Sequence, residues 1–352
     1  MAAETERQNI AVVEIDPRTI DLLSSKQEPS FYGTFGDYRP PNEQTVGVGD
    51  TVKVTLWESS AGGLFWNPAS DPNSSGSHSA ATPEQLVAQD GSITIPFAGR
   101  VSVAGRRPAE IEEIIRARLA NKAIDPQVLL TVTRSASNSV TVFSEGGSAA
   151  RFPLNPRGER LLDIVAQTGG IRSAVADLSI VLTRDNRVVR VPLEVVLRDP
   201  KEDIYLRPGD VVAEVRVPQT FTAVGELGRN NVVNFGRVDL TLDEAIGKAG
   251  GLLDNRADPS GVFVFRFETG QVAQAIATDR GVALQSGVTP AIYHLDLRDP
   301  AGFFLARRFS MRNKDIVYVA AAPADTVRKA LEVFNLMVTP AFTGAVTYSA
   351  VK

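Results

Sequence analysis

Leu242-Asp243-Glu244-Ala245-Ile246, closing on Gly250-Gly251, repeats in outline an earlier segment, Leu161-Leu162-Asp163-Ile164-Val165-Ala166, closing on Gly169-Gly170. Both read as a short helix ended by glycine, the residue that accepts the left-handed conformation at a helix C-terminus. The second adds Thr241 and Glu244 at capping-box spacing. Each is preceded by an apolar β segment (Val140 to Phe143; Phe221 to Val224) and followed by another (Ser179 to Thr183; Val262 to Phe267). Each then reaches the tetrapeptide Leu-Arg-Asp-Pro, at 197–200 and 297–300. Each closes on an acidic turn and an apolar strand, Pro208-Gly209-Asp210-Val211-Val212 and Lys314-Asp315-Ile316-Val317-Tyr318-Val319. The pattern is an internal duplication of a small β-rich domain, 138–218 and 219–322, with insertions in the second copy around Gly270 to Pro290.

Upstream, residues 46–135 form a different unit. Val52, Val54 and Leu56 alternate with Thr51, Lys53 and Thr55, which predicts a half-buried strand ending at Trp57-Glu58. A Ser, Gly, Asn and Pro-rich loop follows to about Thr82, longer than an ordinary connection and carrying Phe65 and Trp66. Asp90-Gly91 predicts a hairpin turn between Leu86-Val87 and Ile93-Thr94-Ile95. Pro108 opens a helix with Ile111, Ile114, Ile115 and Leu119 on one face, and Asp125-Pro126 leads into a strand from Val128 to Val132. Residues 1–45, punctuated by turn formers, read as an irregular opening segment whose aromatics lie on a neighbouring domain. The fold class is α+β.

Composition narrows the function. A chain of 352 residues that is 43% hydrophobic has enough for two or three cores. A net charge of -4 leaves no cationic excess for a phosphate backbone, so nucleic acid is not the partner. The absence of cysteine excludes structural disulfides, thiolate metal sites and a cysteine nucleophile, and no acylated cysteine lies within these 352 residues. Met1 to Arg7 holds no apolar signal core, and a leader is expected to have been removed. No run of about 20 purely apolar residues occurs.

From Pro323 the chain changes character. Asp325, Arg328, Lys329, Glu332, Asn335, Thr339, Thr343 and Thr347 share one helical face, while Val327, Leu331, Phe334, Val338, Ala341, Ala345 and Tyr348 fill the other. After Glu332 no charged residue appears until Lys352. The 19 residues between them would rise about 28 Å as a helix, against ~30 Å for a bilayer's hydrocarbon core. Pro340 predicts a bend. A lone helix with a polar stripe does not face lipid all round, but a ring of them can turn the stripe to a watery lumen. Taken alone, the segment fits an amphipathic helix docked on a soluble body better.

The order of motifs settles that choice. Val48-Gly49-Asp50 running into Leu56-Trp57-Glu58, then Asp90-Gly91-Ser92-Ile93-Thr94-Ile95-Pro96-Phe97-Ala98-Gly99-Arg100-Val101, the helix from Pro108 and the strand after Asp125-Pro126-Gln127 resemble a polysaccharide export sequence domain. The two repeats resemble soluble-ligand-binding β-grasp (SLBB) domains. Together they are similar to the outer-membrane polysaccharide export proteins of the Wza type. That resemblance implies a subunit of a homo-oligomeric ring, octameric in the best-known members, that exports capsular polysaccharide or exopolysaccharide. It implies a body of stacked rings in the periplasm, a C-terminal helix (323–352) forming an α-helical barrel in the outer membrane, and an inner-membrane polysaccharide copolymerase or export complex as partner. Asp325, Arg328, Lys329, Glu332, Asn335, Thr339, Thr343 and Thr347 are then expected to line the pore, the charged four at its periplasmic mouth. Phe334, Val338, Ala341, Ala345 and Tyr348 are expected to face lipid.

Signals for other chemistry are weak. His78 and His294 lie far apart and read as solvated or structural residues. Glu112-Glu113 point to different sides of a helix and read as surface charge. Gly47-Val48-Gly49 and the glycine pairs lack nucleotide-loop spacing and read as turns or caps. Trp57 reads as a core residue; Phe65 and Trp66 fit a sugar ring or a neighbouring subunit. No catalytic residue, metal or cofactor is assigned. The competing classes are a soluble periplasmic polysaccharide-binding or scaffold protein, and an enzyme with paired carboxylates in a cleft.

Overall fold

The computed structural model describes residues 10–25, 28–36, 39, 45–58, 78–147, 149–171, 173–281 and 287–321. The chain divides into two compact units, one of Pro29–Arg216 and one that joins Met1–Glu28 to Val217–Lys352. The opening segment is not irregular. It holds a strand, β1 (Ala11–Glu14), and two short helices, α1 (Pro17–Ser24) and α2 (Phe31–Phe35). Asp16 caps α1 by accepting the Thr19 N–H at 2.7 Å, and this bond holds its carboxyl below the usual range. Ser30 caps α2, which ends on left-handed Gly36.

In the 29–216 unit, β2 (Thr51–Glu58) is the centre of a sheet with β3 (His78–Ala81), β4 (Gln85–Leu86) and, further along, β7 (Gln127–Arg134). Between them lie the hairpin β5 (Ser92–Ile95) and β6 (Gly99–Ser102), then α3 (Pro108–Leu119). Val52, Val54 and Leu56 face Ile111, Ile115 and Leu119 in one core. Three expectations are corrected here. The turn at Asp90-Gly91 does not join a hairpin: β4 pairs with β2, and β5 pairs with β6. Trp57 is half-buried outside the core, because strand alternation that turns Val52, Val54 and Leu56 inward turns Trp57 outward. Glu112 is more than surface charge, since its carboxylate accepts the Leu130 N–H at 2.8 Å and ties α3 to β7.

The first β-grasp domain follows with β8 (Ser139–Phe143), β9 (Ala149–Pro153), α4 (Leu161–Gln167), β10 (Leu178–Arg184), β11 (Arg187–Pro192), α5 (Leu193–Arg198) and β12 (Val211–Arg216). Its sheet runs β11-β10-β12-β8-β9, with β12 and β8 parallel at the centre. Ile164 and Val165 of α4 pack on Val140, Val142, Ile180, Leu182 and Val212, and Phe31 of α2 enters the same core fully buried. Buried Glu202 holds α2 there by accepting the Phe31 N–H at 2.6 Å and the Ser30 hydroxyl.

The second copy has β13 (Thr220–Gly225), β14 (Val232–Asn234), α6 (Leu242–Lys248), β15 (Ala257–Thr269), α7 (Gly270–Arg280), β16 (Val288–Leu295), α8 (Pro300–Arg308) and β17 (Ile316–Ala321). Its sheet runs β1-β16-β15-β17-β13-β14, again with an interior parallel pair, β13 and β17. Two features separate the copies. α7 is inserted between β15 and β16, and β1 joins the edge in parallel from Ala11↔Ala291 to Glu14↔His294. Ala11, Val13, Ile15 and Ile20 are thereby buried in this domain's core. At about 1.5–3 kcal/mol per buried large aliphatic side chain, the opening segment is part of what stabilises the domain.

The duplication is written in equivalent backbone bonds. Leu161 N–H meets Ile204 C=O and Leu242 N–H meets Phe309 C=O, both at 3.0 Å; Leu206 N–H bonds Glu159 C=O as Met311 N–H bonds Leu240 C=O. The shared tetrapeptide is not part of this correspondence. Leu197 is an exposed residue at the end of α5, whereas Leu297 is buried ahead of α8, where Asp299 is the N-cap and Pro300 the first helical residue. Leu193, buried at the head of α5, occupies the place that Leu297 takes in the second copy.

Gly225, at φ 96°, lies where a Cβ would sit 2.1 Å from the Val319 carbonyl oxygen, so any side chain separates β13 from β17. Gly251, at φ 77°, opens onto free space. In denaturant titration Gly251→Ala should cost about 1 kcal/mol for left-handed strain alone, and Gly225→Ala about 3 kcal/mol because the clash adds to it.

Candidate functional site

One local structure occurs three times. Asp50, Asp210 and Asp315 each stand at the foot of the strand that follows them (β2, β12, β17). Each follows a residue of positive φ: Gly49 at 88°, Gly209 at 87° and Lys314 at 70°. Each bonds its own N–H to the carbonyl three residues back, Gly47, Arg207 and Arg312. Each carboxylate accepts the N–H of that same residue, at 2.8, 2.8 and 2.7 Å. This is a β-turn with positive φ at its third residue, closed a second time by the carboxylate of its fourth, and it fixes the start of a strand. All three carboxylates are buried.

What neutralises them differs. Asp50 accepts from the Ala136 and Ser137 amides and the Ser137 hydroxyl, each at 2.8 Å. Asp210 is held by Arg184 through Nε at 2.9 Å and Nη2 at 2.6 Å, and Asp315 by Arg266 at the same two distances. The same Nη2 also donates to a carbonyl at 2.8 Å, Tyr205 in the first copy and Ser310 in the second. Aromatic rings cover both guanidinium groups: Phe35 lies 5.1 Å from Arg184, and Phe309 lies 4.9 Å from Arg266. The fork-to-fork geometry satisfies planar donors and acceptors together, which is what allows a charge to be buried.

The second copy extends its pair. Glu268, fully buried, accepts the Tyr293 hydroxyl at 2.9 Å and Arg312 Nη1 at 2.6 Å, with Arg266 Nη1 3.5 Å away. Arg312 also reaches the Leu23 carbonyl of α1 at 3.3 Å. Two arginines thus balance two carboxylates, and the set ties β15, β16, the foot of β17 and the opening helix together. Burial works against the Arg266 charge, but Asp315 and Glu268 outweigh it and hold the guanidinium proton more tightly than usual. Burial and then Glu268 push the Tyr293 phenol up, so it stays a donor.

His294 sits where β1 meets β16. Its Nδ1 lies 2.8 Å from the Glu14 carboxylate and its Nε2 2.7 Å from the Ser260 carbonyl, a structural setting. The His78 side chain, Phe65 and Trp66 lie outside the described residues. So do all the expected pore-lining and lipid-facing positions: Asp325, Arg328, Lys329, Glu332, Asn335, Thr339, Thr343, Thr347, Phe334, Val338, Ala341, Ala345 and Tyr348. Among the described residues no group of three potential metal ligands occurs, and no helix is long and apolar enough to cross a membrane. The buried arginines were missed by sequence reasoning. Their signal was there: Arg184 ends an apolar strand and Arg266 interrupts one, at matching points of the two copies.

The described chain is an α+β domain followed by two copies of one β-rich domain, with buried charges committed to anchoring strands. Residues 39–133 match the family described as Polysaccharide biosynthesis/export protein, and residues 219–319 match the SLBB domain. The chain is 36% identical over 336 residues to the capsule polysaccharide export protein BexD of Haemophilus influenzae, covering 94% of this chain and 85% of that protein. It is 35% identical over 346 residues to the capsule polysaccharide export outer membrane protein CtrA of Neisseria meningitidis serogroup B, covering 97% and 87%. It is 30% identical over 292 residues to the EPS I polysaccharide export outer membrane protein EpsA of Ralstonia solanacearum, covering 78% and 71%. The chain belongs to the polysaccharide export protein family.

Asp315→Asn removes the two-pronged partner of buried Arg266 and should cost about 3–5 kcal/mol in a urea melt, whereas replacing both residues by leucine should recover most of that loss. A loss in the double variant equal to the sum of the Asp315→Leu and Arg266→Leu losses would mean that the pair is not coupled.

Proposed function

We propose that this chain is one subunit of a ring-shaped outer-membrane translocon that exports capsular polysaccharide or exopolysaccharide, with most of its mass in the periplasm. Family membership and the named activities of the relatives support the export role and the outer-membrane location. The observation that carries the membrane reading is the route of the chain. β17, pinned at its foot by Arg266 and Asp315, ends at Ala321, and the 30-residue segment with a polar stripe begins two residues later, at Pro323. A strand held this firmly is a root for an element that must keep its direction while a polymer moves past it.

The protein is a conduit rather than an enzyme. The relatives are export proteins, and the buried carboxylates of the described domains are spent on capping strands. Energy then comes from an inner-membrane copolymerase or export complex, and specificity from many weak contacts. In the tail, Asn335, Thr339, Thr343 and Thr347 line the pore, while Phe334, Val338, Ala341, Ala345 and Tyr348 face lipid; Asp325, Arg328, Lys329 and Glu332 stand at the periplasmic mouth. Uncharged polar groups suit a hydrated sugar polymer, which a strongly binding site would hold back.

The chain has no native cysteine, which permits a direct test. In intact cells treated with a membrane-impermeant thiol reagent, Thr343→Cys should label and Ala341→Cys should not; equal labelling, or the reverse order, overturns the orientation. Assembly is tested separately. Because the polar stripe needs a lumen, the detergent-extracted protein should run as a closed homo-oligomer. A 37.8 kDa monomer at micromolar concentration in mild detergent would exclude the ring.

A further inference from the structure

The second β-grasp domain carries an apolar feature that its own fold does not use. On α8, Gly302, Ala306 and Phe309 turn inward, while Phe303 is 59% exposed and Phe304, beside it, 74% exposed. The first copy shows that the scaffold does not require them: α5 is shorter and presents Leu197 and Arg198 instead. Arg307 follows the pair on the exposed face and has no ion-pair partner among the described residues. Two adjacent exposed phenylalanines are unusual on a water-facing helix.

Strand register fixes which end of the domain they belong to. The Leu297 N–H bonds the Pro259 carbonyl at 2.8 Å, Ala257 pairs with Ala321 and Val262 with Val319. α8 therefore starts level with the last residues of β17 and runs back toward that strand's foot. Side chains on a helix lean toward its N-terminus, so both rings tilt toward the end at which the chain leaves β17. Leu253, also exposed, lies at that same end, its N–H bonded to Glu226, whose own N–H is bonded to Val319.

We propose that Phe303, Phe304 and Arg307 form a contact with the lipid surface of the membrane that the tail enters, seating the rings among headgroups and acyl chain ends with the guanidinium on lipid phosphate. This rests on the membrane reading of the tail. Exposed aromatic residues flanked by arginine are the composition of an interfacial anchor, and the tail's departure from the same end of the domain brings that interface within reach. Such a contact fixes how far the domain stands from the bilayer, which a single helix crossing leaves free.

The experiment uses the full chain in phosphatidylethanolamine–phosphatidylglycerol vesicles. Single cysteines at Ala301, Phe304, Thr278 and Ala341 carry an environment-sensitive dye, with or without lipids brominated near the headgroup end of the acyl chain. Dye at 301 and 304 should shift to the blue and lose emission in brominated vesicles; dye at Thr278, exposed on α7, should do neither. The Phe303→Ser/Phe304→Ser variant should remove the shift at 301. Quenching at 341 without quenching at 301 and 304 overturns the proposal and leaves the membrane tail standing. A blue shift at 301 and 304 without bromine quenching means protein covers the face, a second copy of the chain, and also overturns it. Quenching at 301 and 304 without quenching at 341 supports the contact while the tail reading fails.

Discussion

The two-pronged bond between a buried arginine and a buried aspartate is the constraint on which both β-grasp domains rest. A carboxylate at the foot of a central strand is an awkward thing to bury, because stripping its water costs several kcal/mol unless every lone pair is met. Here each one is met twice, by a backbone amide that also closes the turn and by a guanidinium whose plane matches it. The strand begins where the turn says it must, and the parallel partner is registered against it: the Thr141 and Thr222 amides bond the carbonyls of Asp210 and Asp315 themselves. Asp50 reaches the same end without an arginine, using three donors from residues 136 and 137. The conserved requirement across the three sites is full satisfaction of the carboxylate, and the source of the donors is free to vary.

Much of this was legible in the chain itself. The glycine-closed helices, the flanking apolar strands and the acidic closing turns identified the duplication because each is set by local chemistry. What escaped shares a physical cause. β1 is four residues long and finds its partner across nearly the whole sequence, so no window around Ala11 to Glu14 contains the information that makes it a strand. The repeated Leu-Arg-Asp-Pro misled for the opposite reason: it is identical in letters, but α8 begins on its proline while α5 ends before its own. Trp57 was misplaced by residue type where strand parity had the answer. The arginines behind the aspartate turns were overlooked because a cation in an apolar strand reads as an edge until its counter-charge, far along the chain, is brought beside it.

The domains also divide their labour. The first copy is a plain β-grasp sheet braced by α2, whose Phe31 and Phe35 fill its core and cover its arginine. The second carries everything extra: an inserted helix, an added edge strand, a second ion pair and an exposed aromatic step. The copy nearest the tail in sequence is the one that carries the added surfaces.

The pairing of β1 with β16 has a consequence for how the molecule is made. Glu14 and His294, 280 residues apart, must meet before the last domain's sheet is complete. Closing a loop of that length costs about 5 kcal/mol of chain entropy, far more than any hairpin in the same sheet. A chain that emerges N-terminus first therefore carries β1 unpaired until β16 has been made. Contacts of such long range are slow to form and leave edges open to the wrong neighbour.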